Sequence, residues 1–439
     1  GDSYLAYCFT SKPGMSKVGS YTGTSASGNL ISTGFEPAFL MIKRTDSTGG
    51  WMMLDNKRST SNPRTKYLTA NTSDAEGDSA SIDVDFLTNG FSVSGTNGDI
   101  NVGTYIYLSF AADGSTATPS LADSFAIDLY TGPGTPITIT TGIPQDLVFN
   151  KSRNASAAWR VSDTVRGPGY EVYTSETNAQ AFDANGISVY GNTSYNIAGN
   201  WGGNFGSNSF VSYAWKAGGT PAISTDGTIT SLVSANQAAG FSVVSYAGNS
   251  TSGATVGHGI TSPDLVMIKC TSTGSTNWIV YAAPLGDNNY LTLNLDNAQD
   301  TYSNWFSSNA TTFTLGQTFG NANTSGRDYI AYCFKSISGY SKVGTYTGLG
   351  SGGPLTVNMG FAPTLGLIKR TDSTGGWRMF DTVRGTDKSL QANSSAAEYD
   401  DVSNYMDFTS TGFYFSTSQA NPDINAAGGT YIYLAIKEN

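Results

Sequence analysis

The chain has few charged residues, one histidine and three cysteines, and these shortages exclude several classes of protein. Only 13% of its 439 residues are charged, and 23 Lys and Arg against 33 Asp and Glu give a formal net charge of −10. A nucleic-acid-binding surface needs a basic stripe, so this balance argues against one. The single His258 leaves almost no material for a His-ligated zinc or iron site, and three cysteines exclude a disulfide framework.

Long apolar runs and nucleotide-binding motifs are also missing. No stretch approaches the ~18 consecutive apolar residues of a membrane span, and nothing at the N-terminus resembles a signal peptide, so we expect no membrane insertion. There is neither a P-loop nor a Rossmann fingerprint followed by a helical pattern. What the chain does have is 38% hydrophobic and 12% aromatic residues together with 52 glycines. That composition fills cores and is too apolar for a disordered polymer.

Internal repetition dominates the sequence. The segment IKRTDSTGGW occurs at residues 42–51 and again, without a change, at residues 368–377. Two diverged copies between them keep a proline, an apolar run that ends in lysine, a polar turn and a tryptophan. Aligning the copies on that lysine gives Lys43, Lys151, Lys269 and Lys369. Their spacing of 100 to 118 residues predicts four copies of one domain, each larger than a solenoid repeat.

Each copy ends on an alternating aromatic strand, and a fifth such strand, SYLAYCFT, stands ahead of the first copy at residues 3–10. We therefore expect residues 1–15 to hold the closing strand of a preceding or neighbouring domain, so that the chain starts inside a domain. A strand donated to a neighbouring subunit is the alternative. The four repeats are expected at residues 16–111, 112–216, 217–336 and 337–439, with the middle two diverged.

The local pattern within each copy predicts β-structure. Apolar and polar residues alternate on both sides of the turn RTDSTGG, which predicts a hairpin. Asn-Gly or Thr-Gly between apolar residues predicts further hairpins at residues 87–91, 182–187 and 408–413. No helical periodicity extends beyond two turns. We expect an all-β chain of four tandem antiparallel β-sandwich repeats, of jelly-roll or concanavalin A-like type, with little or no helix.

Three motifs together resemble a known family. These are KVGxYxG, then TGFxPAFLMIKRTDSTGGWxMxD, then TYIYL or YIAYCF, and they cover the first and last copies well and the middle copies in outline. They resemble a repeat domain of bacteriophage structural proteins, common in marine phages, in tail-fibre-like proteins alongside concanavalin A-like lectin domains of laminin-G or SPRY type. The resemblance implies a β-sandwich on the virion and adhesion to the host surface, and it supplies no catalytic residues.

The strongest recurring set of polar and aromatic residues surrounds the hairpin. A glycan-binding platform would use the tryptophan to stack on a sugar and the charged residues to bond its hydroxyls. The alternative is that the tryptophan fills the sandwich core and the charges pair around the hairpin end, which we favour because the tryptophan persists where the charges drift. The ligand candidates are Trp51, Asp55, Arg58, Trp377, Asp381 and Arg384.

Two loops ahead of closing strands have the alternate-residue oxygen spacing of a calcium loop. They lack the glycine and terminal glutamate of an EF-hand, and each offers one carboxylate, so a hydrogen-bonded turn is the favoured reading. The candidate calcium ligands are Asn97, Asp99, Asn101, Asn421, Asp423 and Asn425. We expect no other cofactor.

The function expected from these features is non-enzymatic. The first hypothesis is a phage virion protein, a tail fibre or capsid fibre, that assembles with other virion subunits as a homo-oligomer and adheres to a host-surface glycan or receptor. The second is a purely structural decoration or spacer protein. The third is a polysaccharide depolymerase that uses paired acids such as Asp83 and Asp85, or Asp400 and Asp401. The expected location is the surface of the particle.

Overall fold

The computed structural model describes residues 7, 9–11, 15–87, 90–111, 124–316, 322–400, 406–416 and 421–438. The chain divides into two compact units, Gly1–Thr118 and Pro119–Asn439. The regular structure of the described residues is β-strand apart from two single-turn 3-10 helices, Ala283–Leu285 and Gly350–Gly352, so the predicted all-β fold is confirmed. No helix in these ranges has the length and hydropathy to cross a membrane. The predicted closing strand in residues 1–15 lies mostly outside the described residues.

Nine strands form one set in the described part of the N-terminal unit, called here the first module. Its strands are β1 (Ser16–Thr22), β2 (Asn29–Ser32), β3 (Pro37–Arg44), β4 (Trp51–Asp55), β5 (Lys66–Thr69), β6 (Gly77–Asp78), β7 (Asp83–Leu87), β8 (Gly90–Ser94) and β9 (Thr104–Ala111). A six-stranded sheet has the order β1-β9-β3-β4-β5-β6, and a three-stranded sheet has the order β2-β8-β7. All described pairs in both sheets are antiparallel.

The C-terminal unit contains three further sets of strands. The second module comprises β10 (Phe125–Gly132), β11 (Ile137–Thr140), β12 (Leu147–Ser152), β13 (Arg160–Asp163), β14 (Tyr170–Glu171), β15 (Ala181–Phe182), β16 (Ile187–Tyr190), β17 (Ser194–Ile197) and β18 (Asn208–Trp215). The third comprises β19 (Ala222–Ser224), β20 (Ser231–Asn236), β21 (Phe241–Ala247), β22 (Ala254–Gly257), β23 (Leu265–Cys270), β24 (Ile279–Ala282), β25 (Asn289–Thr292), β26 (Asp300–Thr301), β27 (Phe306–Ser308), β28 (Thr312–Leu315) and β29 (Asp328–Phe334). The fourth comprises β30 (Ser341–Thr347), β31 (Leu355–Asn358), β32 (Leu365–Arg370), β33 (Arg378–Asp381), β34 (Lys388–Gln391), β35 (Tyr399–Asp400), β36 (Asp407–Phe408), β37 (Gly412–Phe415) and β38 (Thr430–Ile436).

The strand order of the first module recurs in the other three. The fourth has β30-β38-β32-β33-β34-β35 against β31-β37-β36, and the third has β21-β29-β23-β24-β25-β26 against β22-β28-β27, with β19 and β20 added at the edge. The second has β10-β18-β12-β13 against β11-β17-β16, and its β14-β15 pair forms a separate ribbon. In every module the closing strand lies inside the large sheet, with the lysine-bearing strand on one side and β1, β10, β21 or β30 on the other.

The glycines of KVGxYxG explain why that motif and the closing strand TYIYL occur together. A Cβ on Gly19 would lie 2.7 Å from the hydroxyl of Tyr107, and one on Gly344 would lie 2.5 Å from that of Tyr433. The glycine therefore makes room for the ring of the closing strand. The tyrosine two residues later stacks on the other ring of the closing strand, with centroids 4.9 Å apart for Tyr21 and Tyr105.

The hairpins predicted from turn residues are present with one exception. Strands β3 and β4 pair across RTDSTGG, β7 pairs with β8, and β36 pairs with β37. The hairpin predicted at residues 182–187 is wrong, because β15 pairs with β14 whereas β16 pairs with β17 in another sheet. The Asn-Gly turn there links two sheets and does not join neighbouring strands.

Two kinds of core hold the C-terminal unit together. Each sandwich has its own core between the large and small sheets, such as the cluster of Ile368, Phe380 and Phe413 in the fourth module. A further core joins all three modules through the opposite faces of their large sheets. At its centre is an apolar cavity of about 20 Å³ that is lined by residues of all three modules. As a result both faces of β12 and β23 are buried along their whole length.

The tryptophan of the hairpin belongs to the shared core and not to the sandwich core expected from the sequence. Trp159, Trp278 and Trp377 are all but fully buried there. Trp51, which follows the same nine residues as Trp377, is 37% exposed on the N-terminal unit. The difference arises because the large sheets of the second, third and fourth modules face one another.

Trp377→Ala is expected to destabilise the C-terminal unit by about 3–5 kcal/mol, because a ring in a closed core leaves a cavity behind. Trp51→Ala is the matched control, and we expect it to cost less than about 1 kcal/mol because its ring is partly in solvent. Urea unfolding followed by circular dichroism measures both. Equal costs for the two variants would contradict the assignment of Trp377 to a junction core.

Candidate functional site at the module junctions

The three modules of the C-terminal unit are fastened by one set of contacts that recurs in a closed cycle. The indole Nε1 of Trp159 donates to the carbonyl of Gln391 in the fourth module at 2.8 Å. The indole of Trp278 donates to the carbonyl of Tyr173 in the second module at 2.7 Å, and that of Trp377 donates to the carbonyl of Thr292 in the third at 3.0 Å. Each module thus donates to one neighbour and accepts from the other. The cycle has no open position for another module.

The aligned lysines lie beside these tryptophans and cross the same junctions. Lys151 Nζ donates to the carbonyl of Ser395 at 3.0 Å, and Lys269 and Lys369 make the equivalent bonds to Thr177 and Asp296. All three lysines are buried, and burial lowers the pKa of each to about 8. Because the partners are carbonyl oxygens, each ammonium group is held by dipoles without a carboxylate in direct contact.

Backbone hydrogen bonds repeat the same cycle twice more. The amides of Ala157, Thr276 and Gly375 donate across the junctions to the carbonyls that also accept from the lysines. A second set runs in the opposite direction, from Gln180, Gln299 and Glu398 to residues just after the lysine-bearing strands. The turn RTDSTGG of the fourth module and its counterparts in the second and third modules are therefore junction elements.

A tyrosine–aspartate pair closes two of the three junctions. Tyr213 of the second module donates to Asp381 of the fourth at 2.7 Å, and Tyr332 of the third donates to Asp163 of the second at 2.8 Å. Burial raises the pKa of both tyrosines, so their hydroxyls stay protonated and donate. At the third junction both partners are replaced together, since Leu434 and Ala282 occupy the equivalent positions. An apolar pair there leaves no buried carboxylate unpaired.

This geometry decides where the ligand candidates of the fourth module lie. Trp377 and Asp381 are buried, and the Arg384 side chain is fully buried against Asp381 and Glu398. The structure brings Asp381 and Arg384 together inside the unit, whereas Trp377 precedes β33 at its other end, and no sugar reaches these buried side chains. The alternative weighed from the sequence described paired charges at the hairpin, and Asp381 and Arg384 form that ion pair.

The equivalent residues of the N-terminal unit are nearer to solvent. Arg58 Nε donates to Asp55, and each side chain is about one-fifth exposed. Trp51 is the most exposed of the three. Asp55 also accepts the backbone amides of Lys57 and Arg58, at 3.0 and 2.8 Å. The carboxylate thus closes the turn after β4 as well as pairing with the guanidinium.

The candidate calcium loops are held by hydrogen bonds to the protein. Asn101 is fully buried, accepts from the amide of Thr24 and donates to the carbonyls of Ala26 and Gly95. Asn425 caps the amide of Leu349 in the same way. Buried asparagines with the same role occur in all four modules, at Asn101, Asn204, Asn323 and Asn425.

The other oxygens of these loops have protein partners too. Asn97 and Asn421 each accept the amide two residues later. Asp99 and Asp423 accept the amides of Gly50 and Gly376. Among the described residues no group of three or more His, Cys, Asp or Glu side chains is arranged to hold a metal ion. Calcium at these loops stays a prediction from spacing alone.

The remaining titratable candidates are apart from the junctions. His258 is buried just after β22, its Nδ1 accepts the amide of Ile260, and burial lowers its pKa. Asp83 and Asp85 lie on one face of β7, as predicted. Asp400 lies in β35 at 3.7 Å from the ammonium of Lys388, and Asp401 is outside the described residues.

An open polar cleft lies where the third and fourth modules meet. Its lining residues are Asp296 from the third module and Arg370, Thr374, Gln391, Asn393 and Asp423 from the fourth. Arg370 is held by Asp372 at 2.9 Å, and Asp423 is held by Arg378 at 2.8 Å. The cleft therefore presents charged groups in fixed positions beside an exposed threonine.

Sequence reasoning missed the cleft because its two walls are far apart in the chain. It also missed Tyr213 and Tyr332, although one signal was present. Both tyrosines occupy one position of the closing strand where the first and fourth modules have leucine. A polar aromatic residue on the outer face of an otherwise covered strand needs a hydrogen-bond partner.

The comparison with protein families gives a match over almost the entire chain. The model described as Domain of unknown function (DUF7483) matches residues 1–113 and 120–439, so the chain belongs to this family. No curated protein and no solved structure matches the chain. The two matched segments follow the division into two compact units.

Tyr332→Phe is expected to destabilise the C-terminal unit by about 1.5–3 kcal/mol, because it removes a hydrogen bond to a buried carboxylate. Tyr170→Phe is the control, since Tyr170 is 36% exposed and lies outside the junction contacts described above. The free energy of unfolding in urea is the measurement. If Tyr332→Phe left the free energy of unfolding unchanged, the hydroxyl would not stabilise the junction.

The buried lysines predict an unusual dependence of stability on pH. Below about pH 8 they are charged in both the folded and unfolded states, whereas from there towards 10.5 the folded protein loses protons that the unfolded chain keeps. The free energy of unfolding should therefore rise between pH 7.5 and about 9.5. Lys269→Met removes one of the three buried ammonium groups, so the free energy of unfolding should rise less steeply with pH in this variant. Equal slopes in the two proteins would contradict the depressed pKa.

Proposed function

We propose that this member of the family is a non-enzymatic structural protein of a bacteriophage particle, in a tail fibre or capsid fibre, that adheres to a host-surface glycan. The observation that carries the structural part is the closed cycle of indole and lysine bonds between modules. The most recurrent polar residues of the sequence are used there to fix modules to one another. Such an arrangement makes one stiff body from three sandwiches.

The low charge of the chain supports a role on an exposed particle. Only 13% of residues are charged, and the ion pairs that fix the fourth module, such as Arg384 with Asp381, are buried. Buried pairs are little affected by dissolved salt, whereas exposed pairs are screened. A surface of this kind keeps its structure in saline surroundings. The resemblance of the sequence to phage tail-fibre-like proteins supports the location on the virion.

The polar cleft between the third and fourth modules is the part of the surface that fits a glycan. Asp296 and Asp423 offer acceptors, Arg370 offers donors, and Gln391 and Asn393 carry both, which is the mixture that sugar hydroxyls require. The equivalent of Asp296 at the junction with the second module is Ser395, so the cleft is not repeated there with the same charge. Many copies on one particle would convert weak binding at each cleft into avidity.

A purely structural spacer protein is the second candidate. It is favoured by the same cycle of junction contacts, because these contacts need no external ligand. The two candidates differ in what the cleft does. The polysaccharide depolymerase considered from the sequence has less support. Asp83 and Asp85 lie together on β7, and the described residues show no second wall that would form a cleft with them.

The glycan proposal is tested with Asp296→Ala/Thr374→Ala in the full chain on an array of bacterial surface glycans. We expect binding by the native chain and at least a ~10-fold loss in the variant, equivalent to about 1.4 kcal/mol. Ser395→Ala is the matched control at another junction and should bind as the native chain does. Absence of binding by the native chain favours the spacer, and release of reducing ends favours the depolymerase.

A further inference from the structure

The outer face of the large sheet in the first module is apolar and exposed. Val18, Trp51, Leu68 and Ile106 are each 37–46% exposed on it. The equivalent face of the fourth module is buried by the second and third modules in the shared core. The first module therefore carries a junction face without a junction among the described residues of its unit. We call it the open face.

The open face matches the fourth module more closely than either of the others. Strand register makes the following residues equivalent and identical: Val18 and Val343, Lys43 and Lys369, Trp51 and Trp377, Met53 and Met379, Asp55 and Asp381, Leu68 and Leu390, Glu76 and Glu398, Ile106 and Ile432, Leu108 and Leu434. At three further apolar positions Phe39, Met41 and Phe110 replace Leu365, Leu367 and Ile436. The second and third modules differ at the decisive positions, with tyrosine in place of Leu108 and glutamine in place of Glu76.

We propose that the open face binds a pair of modules of this family equivalent to the second and third modules, in the way that the fourth module does. The occupant is specified by the residues that the fourth module meets. Asp381 accepts a hydrogen bond from Tyr213, and Glu398 accepts from Arg153 at 2.9 Å, both from the second module. Asp55 and Glu76 are the matching acceptors on the open face.

Three copies of the first module would not satisfy the same acceptors. Its closing strand has Leu108 where Tyr213 lies in the second module, and it has Thr45 where Arg153 lies. A homotrimer would therefore set Asp55 against a leucine and Glu76 against a threonine at every junction. Burying carboxylates without these donors is unfavourable. The pair of unlike modules supplies both donors.

Backbone groups on the open face are also in place for the cycle. Gly49 and Glu76 are equivalent to Gly375 and Glu398, whose amides cross the junctions of the C-terminal unit. The sequence ahead of the first module is of the matching type as well. Residues 3–23, SYLAYCFTSKPGMSKVGSYTG, align without a gap with residues 328–348, DYIAYCFKSISGYSKVGTYTG, which begin with the closing strand of the third module.

The test replaces residues 341–438 of the full chain with residues 16–111, so that the first module takes the position of the fourth. We expect the C-terminal unit to keep a melting temperature within about 5 °C of the native one, and the transplanted Trp51 to emit at the shorter wavelength of a buried indole. The control replaces the same residues with 124–216, which sets Tyr213 against Ala282. That chimera should not form a stable unit.

A smaller variant tests the same face without fusion points, which could by themselves prevent the chimera from folding. Leu365→Phe/Leu367→Met/Ile436→Phe gives three apolar positions on the face of the fourth module the residues of the first. We expect this chain to melt within about 5 °C of the native chain. Loss of the cooperative transition in both the chimera and this variant overturns the proposal. Leu434→Tyr, which imports the residue of the second module instead, should lower the melting temperature more.

Sedimentation of the full chain shows whether the open face binds other copies of the first module instead of the proposed pair of modules. The native chain and Ile106→Asp should have the same mass, whatever that mass is, because the open face does not bind its own copies. Leu30→Asp is the control, since Leu30 is 66% exposed on the other sheet of the same unit. A trimer of the 46.1 kDa chain that Ile106→Asp dissociates and Leu30→Asp does not would overturn the proposal.

Discussion

The structure depends on the burial of a second apolar face on each large sheet. A sandwich covers one face of a sheet, and in most antiparallel sandwiches the other face is polar and meets water. Here the lysine-bearing strands β12 and β23 are buried on both faces, whereas β3 of the first module is only partly covered. Modules with two apolar faces need partners, and three of them satisfy one another in a closed cycle.

The closed cycle also fixes which residues accompany the apolar surface. A buried lysine and indole bond to carbonyl oxygens at every junction, so these contacts tolerate divergence of the side chains opposite. The tyrosine–aspartate pair does not tolerate a change of one member alone. At the third junction both members are replaced together, by leucine and alanine. The generic bonds therefore hold any junction, and the specific pairs define the order of the modules.

Local pattern was enough to predict the β-fold, the main hairpin and the closing strands, because alternation and turn residues act over a few residues. The sequence placed Trp377 in the sandwich core, whereas it lies in the shared core. Alternation shows which face of a strand a side chain is on, but it does not show what covers that face. Tyr213 and Asp381 are 168 residues apart, and only the packing of separate modules brings them together. The apolar residues on both faces of LVFNKS and LVMIKC were the available signal for covered sheets.

Amide hydrogen exchange at the junction between the second and fourth modules tests the closed cycle most directly, because these modules are not neighbours in the sequence. The amide of Ala157 bonds to the carbonyl of Ser395, and that of Glu398 bonds to the carbonyl of Arg153. Both amides should exchange only when the C-terminal unit unfolds, as slowly as amides in the centre of β18. Exchange of these two amides at the rate of exposed turns, while β18 stays protected, would contradict it.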